Sequence, residues 1–273
     1  MRVFISADIE GVSGVVDAVQ TTDGGPDYGR ARALMTAEVN AAIEGALAAG
    51  ATEVVVNDSH GSMRNILIEE LSPEAKLITG APKPLSMMEG IEPDFGAAFF
   101  TGYHARVGTR GVQSHTYSGK TVAGLTLNGQ VYGECGLNAA VAGYFGVPVA
   151  LVTGDSTVTA EAQAILPGVR TVAVKEHRGR VAARCLQPDK ARRLIREGAE
   201  EAVHLAARGA VRSLAVEPPA VLEVRFFNTG MADMAELIPG VRRLDETRVS
   251  FTDDDLLTAF KAFRAMIYLA GAM

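Results

Sequence analysis

The sequence predicts an α/β fold: a mostly parallel sheet flanked by helices, with a smaller C-terminal α+β subdomain. Short apolar runs alternate with segments of helical periodicity, which is typical of parallel strands joined by helices. The chain has 273 residues, 48% of them hydrophobic and 21% charged, so it can bury a sizeable core. The C-terminal third has a different pattern, with one strand of alternating character followed by an amphipathic helix.

The first half of the chain supplies most of the predicted sheet. A helix is predicted over residues 31–49, where apolar side chains recur at helical spacing and Gly50 provides the stop. Asn128-Gly129 lies between two apolar runs and predicts a hairpin, so an antiparallel pair is expected to interrupt the parallel sheet. Strands are predicted at residues 3–7, 53–57, 76–79, 97–101, 121–127 and 147–153.

The C-terminal region is predicted to contain a helix over 188–208, a strand over 221–227 and a final helix that begins after the cap-like run 252–255. We divide the chain into an α/β core, residues 1–165, and a C-terminal α+β subdomain, residues 166–273. No flexible linker marks this boundary, so one continuous domain is the alternative.

Charge and composition exclude several kinds of partner. The chain has 26 Lys and Arg against 32 Asp and Glu, a net charge of −6, and no basic block, so no nucleic-acid partner is expected. No apolar stretch approaches the roughly 18 residues of a membrane span. The two cysteines form no disulfide framework and the N-terminus lacks a signal peptide, so a cytoplasmic location is predicted.

Acidic and histidine side chains follow three of the predicted strands. Asp8 and Glu10 come directly after the first strand, His60 after the second, and His104 after the strand at 97–101. Ligands of open α/β sheets bind at the carboxyl ends of the strands, so we expect these groups to meet at one edge. Carboxylate and imidazole together suit Zn²⁺, Mn²⁺ or Co²⁺.

Other polar residues near these positions are open to more than one interpretation. Glu134 lies between glycines before a small-residue helix, where it is either a helix cap or a metal ligand. Asp58 is a ligand, a carboxylate supporting a ligand, or a turn residue. Cys135 is predicted to be a small buried residue, and His177 and His204 are predicted to lie on the surface.

Several motifs occur together in the order and spacing of one known family. The chain resembles the D-aminopeptidase family of metallopeptidases, densely up to about residue 155 and more thinly beyond. The motifs that carry the resemblance are Ala7-Asp8-Ile9-Glu10-Gly11-Val12-Ser13-Gly14, Val56-Asn57-Asp58-Ser59-His60, Lys83-Pro84-Leu85-Ser86-Met87-Met88-Glu89-Gly90, Gly102-Tyr103-His104-Ala105, Ser114-His115 and Gly133-Glu134-Cys135-Gly136-Leu137-Asn138-Ala139.

The resemblance implies a pair of divalent metal ions, zinc being favoured. By similarity, Asp8 bridges both ions. Glu10 and His104 complete one site, and His60 and Glu134 complete the other.

The resemblance also implies an activity and an assembly. His115 matches the position to which the family assigns a direct catalytic role, as general base, general acid or oxyanion donor. The implied reaction removes N-terminal D-amino acids, notably D-alanine, from short peptides. The implied assembly is a ring-shaped homo-oligomer, a decamer.

Two other functions fit a paired metal site. A binuclear phosphoesterase needs mixed histidine and carboxylate ligands, but it also wants cationic donors, and only Arg106 lies within the ligand motifs. A non-catalytic metal-binding protein is the second alternative. Such a protein has no use for a free histidine beside an incompletely filled two-metal site.

Overall fold

Two β-sheets of different kinds form the framework of the protein. The computed structural model describes residues 1–273 and contains twelve strands and seven α-helices. The strands are β1 (Arg2–Ala7), β2 (Glu53–Asp58), β3 (Ala75–Ile78), β4 (Phe95–Tyr103), β5 (Val122–Leu127), β6 (Gln130–Val131), β7 (Val149–Asp155), β8 (Arg170–Gly179), β9 (Ala182–Cys185), β10 (Ala220–Phe226), β11 (Arg242–Arg243) and β12 (Arg248–Asp253). The helices are α1 (Ala18–Thr21), α2 (Tyr28–Ala48), α3 (Glu134–Tyr144), α4 (Ser156–Ile165), α5 (Pro188–Ala207), α6 (Thr229–Glu236) and α7 (Leu256–Ala270).

The first sheet has seven strands in the order β3-β2-β1-β4-β7-β8-β9. Every neighbouring pair is parallel except the last, in which β8 and β9 run antiparallel. The prediction of a mostly parallel sheet flanked by helices is therefore confirmed. The predicted strands and helices that the structure contains have bounds within three residues of those expected from periodicity.

Both faces of the first sheet are covered, because successive side chains of a strand point to opposite faces. Val3 and Ile5 of β1 pack in a core with α2 and α5, whereas Phe4 between them belongs to a second core. That second core contains α3, α7 and the apolar side of the other sheet. The strands are consequently near-continuous apolar runs, as expected for a sheet buried on both faces.

The second sheet is antiparallel, in the order β11-β12-β10-β5-β6. Asn128 and Gly129, with φ angles of 50° and 78°, form the tight turn that joins β5 to β6, which confirms the predicted hairpin. Its expected position was wrong. The hairpin pairs with β10 in the second sheet and does not interrupt the parallel one, in which the antiparallel pair is β8–β9.

The C-terminal elements contribute to both layers. Strands β8 and β9 and helix α5 complete the first sheet layer, while β5 and β6 join the later strands of the second sheet. A division of the chain at residue 165 stays a prediction. The final helix begins where expected, with Asp255 accepting hydrogen bonds from the Leu257 and Thr258 amides. No helix combines the length and the apolar character that crossing a bilayer requires.

Candidate metal centre

The order of the strands creates a crevice at the carboxyl ends of β1 and β4. From β1 the chain moves outward through β2 and β3, then returns to place β4 on the other side of β1. Such a reversal leaves the loops on the two sides diverging, and ligands of open α/β sheets bind there. Asp8 and Glu10 follow β1, His60 follows β2 and His104 follows β4. The structure thus brings these four predicted residues together.

Two glycines allow the loops after β1 and β4 to touch backbone to backbone. The Gly11 amide donates to the Gly102 carbonyl oxygen at 2.7 Å. A Cβ atom on Gly11 would lie 1.9 Å from the Tyr103 carbonyl oxygen, and one on Gly102 would lie 2.1 Å from that of Asp8. Gly102 also has a φ of +67°, which side chains rarely adopt. The close approach places the acids of one loop beside His104 of the other.

Glu134 enters the centre from the first turn of α3, and His115 enters from the loop between β4 and β5. The Glu134 carboxylate does not cap its own helix; it accepts a hydrogen bond from the Tyr117 amide at 2.6 Å and faces His104. The helix N-terminus nonetheless favours its negative charge. All six residues predicted for the site therefore lie in one crevice.

The three imidazoles share one arrangement. A backbone carbonyl oxygen contacts one nitrogen of each ring: Thr21 at His60 Nε2, Ala105 at His104 Nδ1 and Gln113 at His115 Nδ1, at 2.7, 2.9 and 2.8 Å. A carbonyl can only accept, so those nitrogens carry the proton. In the neutral form of each ring, the other nitrogen faces the carboxylates with its lone pair free, which is how metal-binding histidines are oriented.

The carboxylates and imidazoles form overlapping groups of three. His60 Nδ1 lies 3.3 Å from Asp8 Oδ1 and 2.9 Å from Glu10 Oε2. His104 Nε2 lies 3.6 Å from Asp8 Oδ2 and 3.3 Å from Glu134 Oε2. Asp8 thus belongs to two groups, one on each of its oxygens.

This grouping differs from the pairing that the resemblance implies. The structure combines Asp8 with Glu10 and His60, and again with His104 and Glu134. Glu10 and His104 also occur together, in a third group with His115. The central position of Asp8 is common to both arrangements, and the division of the other ligands between two ions stays a prediction.

Burial and mutual repulsion set the charges of the centre. Burial, and next to it the Glu10 charge, raise the pKa of the Asp8 carboxyl well above its usual value. Burial opposes ionisation of Glu134 too, but His104 lowers its pKa to about 2. Burial likewise opposes the charged form of His104, yet the Glu134 carboxylate raises the pKa of His104 to about 10. The carboxylates therefore attract positive charge, whether protons or metal ions.

Unsatisfied atoms show that the donor set fits a metal. Asp8 Oδ2, Glu10 Oε2 and His104 Nε2 are buried and have no hydrogen-bond partner. Buried polar atoms normally have hydrogen-bond partners, so three unpaired atoms in one crevice indicate that a ligand binds there. Carboxylate oxygens and imidazole nitrogens are donors that zinc takes, and no cysteine competes for it.

Three residues that the sequence reasoning did not assign support or line the crevice. Lys175 of β8 is buried and donates to the carbonyl oxygens of Glu10, Val12 and Val15, which fixes the loop after β1. Tyr117 anchors Glu134, and Arg264 of α7 lines the same cavity. Arg264 lies four residues after the buried Phe260, so helical spacing places it near the buried face of α7.

The remaining candidates have structural surroundings. Asp58 braces a turn, since its carboxylate accepts from the Asn65 and Ile66 amides. Cys135 is buried, as predicted, and His204 is exposed. His177 is half-buried, not a free surface residue, and its Nδ1 lies 3.3 Å from Thr157 Oγ1.

Comparison with known proteins identifies the family. A family model described as D-aminopeptidase matches residues 1–265. The chain belongs to the D-aminopeptidase family. A relative named D-aminopeptidase, from Bacillus subtilis strain 168, is 43% identical over 271 residues, covering 99% of this chain and 98% of the relative.

A solved structure gives the same result for the fold. The Zn-dependent D-aminopeptidase DppA from Bacillus subtilis, described as a self-compartmentalizing protease, superposes with a TM-score of 0.97 at 42% identity. The match covers 100% of this chain and 99% of that one. The resemblance of the motifs to the D-aminopeptidase family is confirmed along the whole chain.

Proposed function

We propose that this protein is a zinc-dependent aminopeptidase that removes N-terminal D-amino acids, such as D-alanine, from short peptides. The observation that carries the proposal is the crevice in which three carbonyl-anchored imidazoles face three buried carboxylates. Membership of the D-aminopeptidase family and the zinc dependence named for the solved relative support it.

Five residues would hold two zinc ions. Asp8, central to the groups, would bridge them, with Glu10, His60, His104 and Glu134 as the other ligands. When bound, a zinc pair supplies Lewis acidity, which lowers the pKa of a coordinated water to about 7 and polarises a carbonyl oxygen. The three carboxylates offset most of the charge of two divalent ions and leave the centre electrophilic.

His115 is the residue that we assign to proton transfer. Its Nδ1 proton is held by the Gln113 carbonyl, so Nε2 is free; it lies 3.7 Å from Glu134 Oε1 and 4.0 Å from Glu10 Oε1. Burial is the main cause that lowers the pKa of His115, and the charge of the neighbouring His104 is the second. A lowered pKa favours a neutral ring that can accept a proton. Nε2 would take a proton from the attacking water and return it to the leaving amine nitrogen.

The protein would work as a homo-oligomer with ring symmetry, a decamer, in the cytoplasm. The description of the solved relative as self-compartmentalizing supports an assembly. Large apolar side chains of the C-terminal layer are exposed, among them Phe227, Leu237 and Met273, and would be available to a neighbouring subunit. The two unpaired cysteines are compatible with a reducing compartment.

Hydrolysis of matched D- and L-alanyl substrates tests the function. Purified protein with added zinc should cleave D-alanine p-nitroanilide and D-alanyl dipeptides faster than their L counterparts, and Glu134→Ala protein should cleave neither. A preference for L-peptides would refute D-specificity, and turnover of p-nitrophenyl phosphate alone would favour a phosphoesterase. Light scattering should give a mass near ten times the 28.7 kDa of one chain.

A further inference from the structure

A cationic side chain shares the crevice with the proposed metal ligands. The crevice encloses a cavity of about 140 Å³, lined by Asp8, His60, His115 and Glu134, and also by Arg264 of α7. Pockets for drug-sized ligands are larger, at roughly 300–1,000 Å³, so this cavity suits a small ligand. Arg264 is the one Lys or Arg side chain in that lining, and the proposed reaction does not use it.

Arg264 lacks the partners that arginines normally have. None of the ion pairs of the protein includes it, and its Nε is buried without a hydrogen-bond partner. Its single side-chain hydrogen bond, from a terminal nitrogen to the Tyr268 hydroxyl, is 3.3 Å long. A buried guanidinium atom left unpaired is costly, which indicates that a ligand completes it.

Two aromatic rings hold the guanidinium in place. Its Cζ lies 5.0 Å from the centroid of the Tyr117 ring and 5.2 Å from that of Tyr268. Such contacts orient the planar group and leave its hydrogen-bonding edge available. The side chain is thus pre-organised without being neutralised.

Tyr117 also fixes the position of Arg264 relative to the metal centre. The same residue that lies against the guanidinium donates its amide to Glu134 Oε1 at 2.6 Å. Tyr117 therefore contacts both the charged group and a proposed ligand. Because Arg264 lines the same small cavity as the proposed ligands, a group one residue beyond the scissile bond, about 3.3–3.6 Å further along an extended peptide, would lie in that cavity with it.

In a dipeptide, that group is the C-terminal carboxylate. Guanidinium and carboxylate form two parallel charge-assisted hydrogen bonds, and Arg264 has unpaired donors for them. We propose that Arg264 binds the free C-terminal carboxylate of dipeptide substrates and selects them over peptides that lack the negative charge there. This inference rests on the proposed peptidase function.

The experiment compares two substrates that differ only in this charge, D-alanyl-D-alanine and its C-terminal amide. The variants are Arg264→Gln, which removes the charge, Arg264→Lys, which keeps it, and Lys261→Gln, which removes a charge from an exposed position of the same helix. For Arg264→Gln, kcat/KM on the free acid should fall about 10- to 100-fold, mainly through a higher KM, because the variant loses one hydrogen-bonded charge. Cleavage of the amide should stay close to wild type, Arg264→Lys should recover part of the preference, and Lys261→Gln should keep it all.

Calorimetry with reduced-bond analogues of the two dipeptides provides a readout that needs no turnover. The zinc-loaded wild type should bind the acid more tightly than the amide, and Arg264→Gln should bind both alike. Equal losses on both substrates, or an acid-to-amide ratio unchanged by Arg264→Gln, would overturn the proposal. A wild type that binds the acid preferentially but cleaves neither dipeptide would refute the peptidase function and leave the carboxylate site standing.

Discussion

The imidazole of His115 stacks on that of His104, with ring centroids 4.3 Å apart and ring planes 15° from parallel. Both rings present Nε2 to the carboxylates, but in different surroundings. His104 directs Nε2, buried and unpaired, between Asp8 and Glu134, whereas Nε2 of His115 stays 3.7 Å or more from the nearest carboxylate oxygen. The stacking thus holds the histidine that we propose for proton transfer against the histidine that we propose as a metal ligand.

Replacing each of the two histidines separates these roles. His115→Ala should keep both metal ions and the fold, while kcat falls by about 10²–10⁴-fold, the usual contribution of general acid–base catalysis. KM should change less, because the lost interaction is made in the transition state. His104→Ala should lose metal together with activity, as measured by elemental analysis and steady-state kinetics. If His115→Ala lost metal, His115 would have to be counted among the ligands. If the variant kept a near-normal kcat, His115 would have no catalytic role.

Metal content tests the central position of Asp8. Protein purified without chelators should hold close to two zinc ions per chain, and zinc should raise the Tm of the stripped protein because it binds the native state. Asp8→Ala should lose both ions, whereas Glu134→Ala should keep a fraction of one. Glu44→Ala, which removes an exposed carboxylate, is the control and should keep both. Two fully occupied sites in Asp8→Ala would exclude a bridging role.

The contact between the loops after β1 and β4 predicts opposite effects for two glycine substitutions. Gly11→Ala puts a Cβ 1.9 Å from the Tyr103 carbonyl oxygen, so the backbone must shift and the protein should lose at least about 1–3 kcal/mol of stability. Gly29→Ala in α2 meets nothing within 4 Å and should gain about 0.4–1 kcal/mol. Urea unfolding measures both. Equal stability of Gly11→Ala and wild type would show that the loops are not in contact.

Glu38 of α2 predicts a pH dependence of stability away from the metal centre. Its Oε1 accepts from the Ser13 amide at 2.9 Å, while Oε2 is buried without a partner. Burial raises the pKa of this carboxyl from 4.5 to about 7. The folded state therefore holds the proton more tightly than the unfolded state. The stability contributed by the protonated group is complete below the unfolded pKa and is lost as pH rises through about 7.

Glu38→Gln keeps the acceptor without the charge. Relative to wild type, the variant should gain stability as the pH rises from about 5 to about 8, by up to about 3 kcal/mol. Urea unfolding at several pH values measures the difference, with Glu44→Gln on the exposed side of the same helix as the control. A constant difference across this range would show that Glu38 does not titrate there.

The acids and histidines at strand ends were predictable because the geometry of a parallel sheet does the assembling. Whatever the strand bounds, residues just past β1, β2 and β4 must meet at one edge, so Asp8, His60 and His104 followed from local pattern. Glu134 and His115 reach the crevice from the first turn of a helix and from a long loop, respectively. Local patterns do not fix where those segments lie, and these two depended on the resemblance to the family.

Long-range partners were beyond local patterns. The hairpin at Asn128-Gly129 is encoded by adjacent residues, but the sheet that it joins depends on β10, more than 90 residues later, as the pairing of Leu127 with Leu222 shows. Lys175 follows three apolar residues in a strand, and nothing nearby in sequence indicates that its amine binds three carbonyls of the loop after β1. Such contacts depend on how distant segments pack together, and the periodicity of apolar residues along the sequence does not predict that packing.

The position of Arg264 in α7 has a consequence for how the protein is made. All five proposed ligands precede residue 135, whereas Arg264 follows Glu134 by 130 residues. At a synthesis rate of about 5–20 residues per second, the ribosome needs roughly 7–26 s to add that stretch. During this interval the nascent chain contains all five proposed ligands but not the arginine that we propose for substrate selection. The residue proposed for substrate selection is therefore synthesised after every proposed metal ligand.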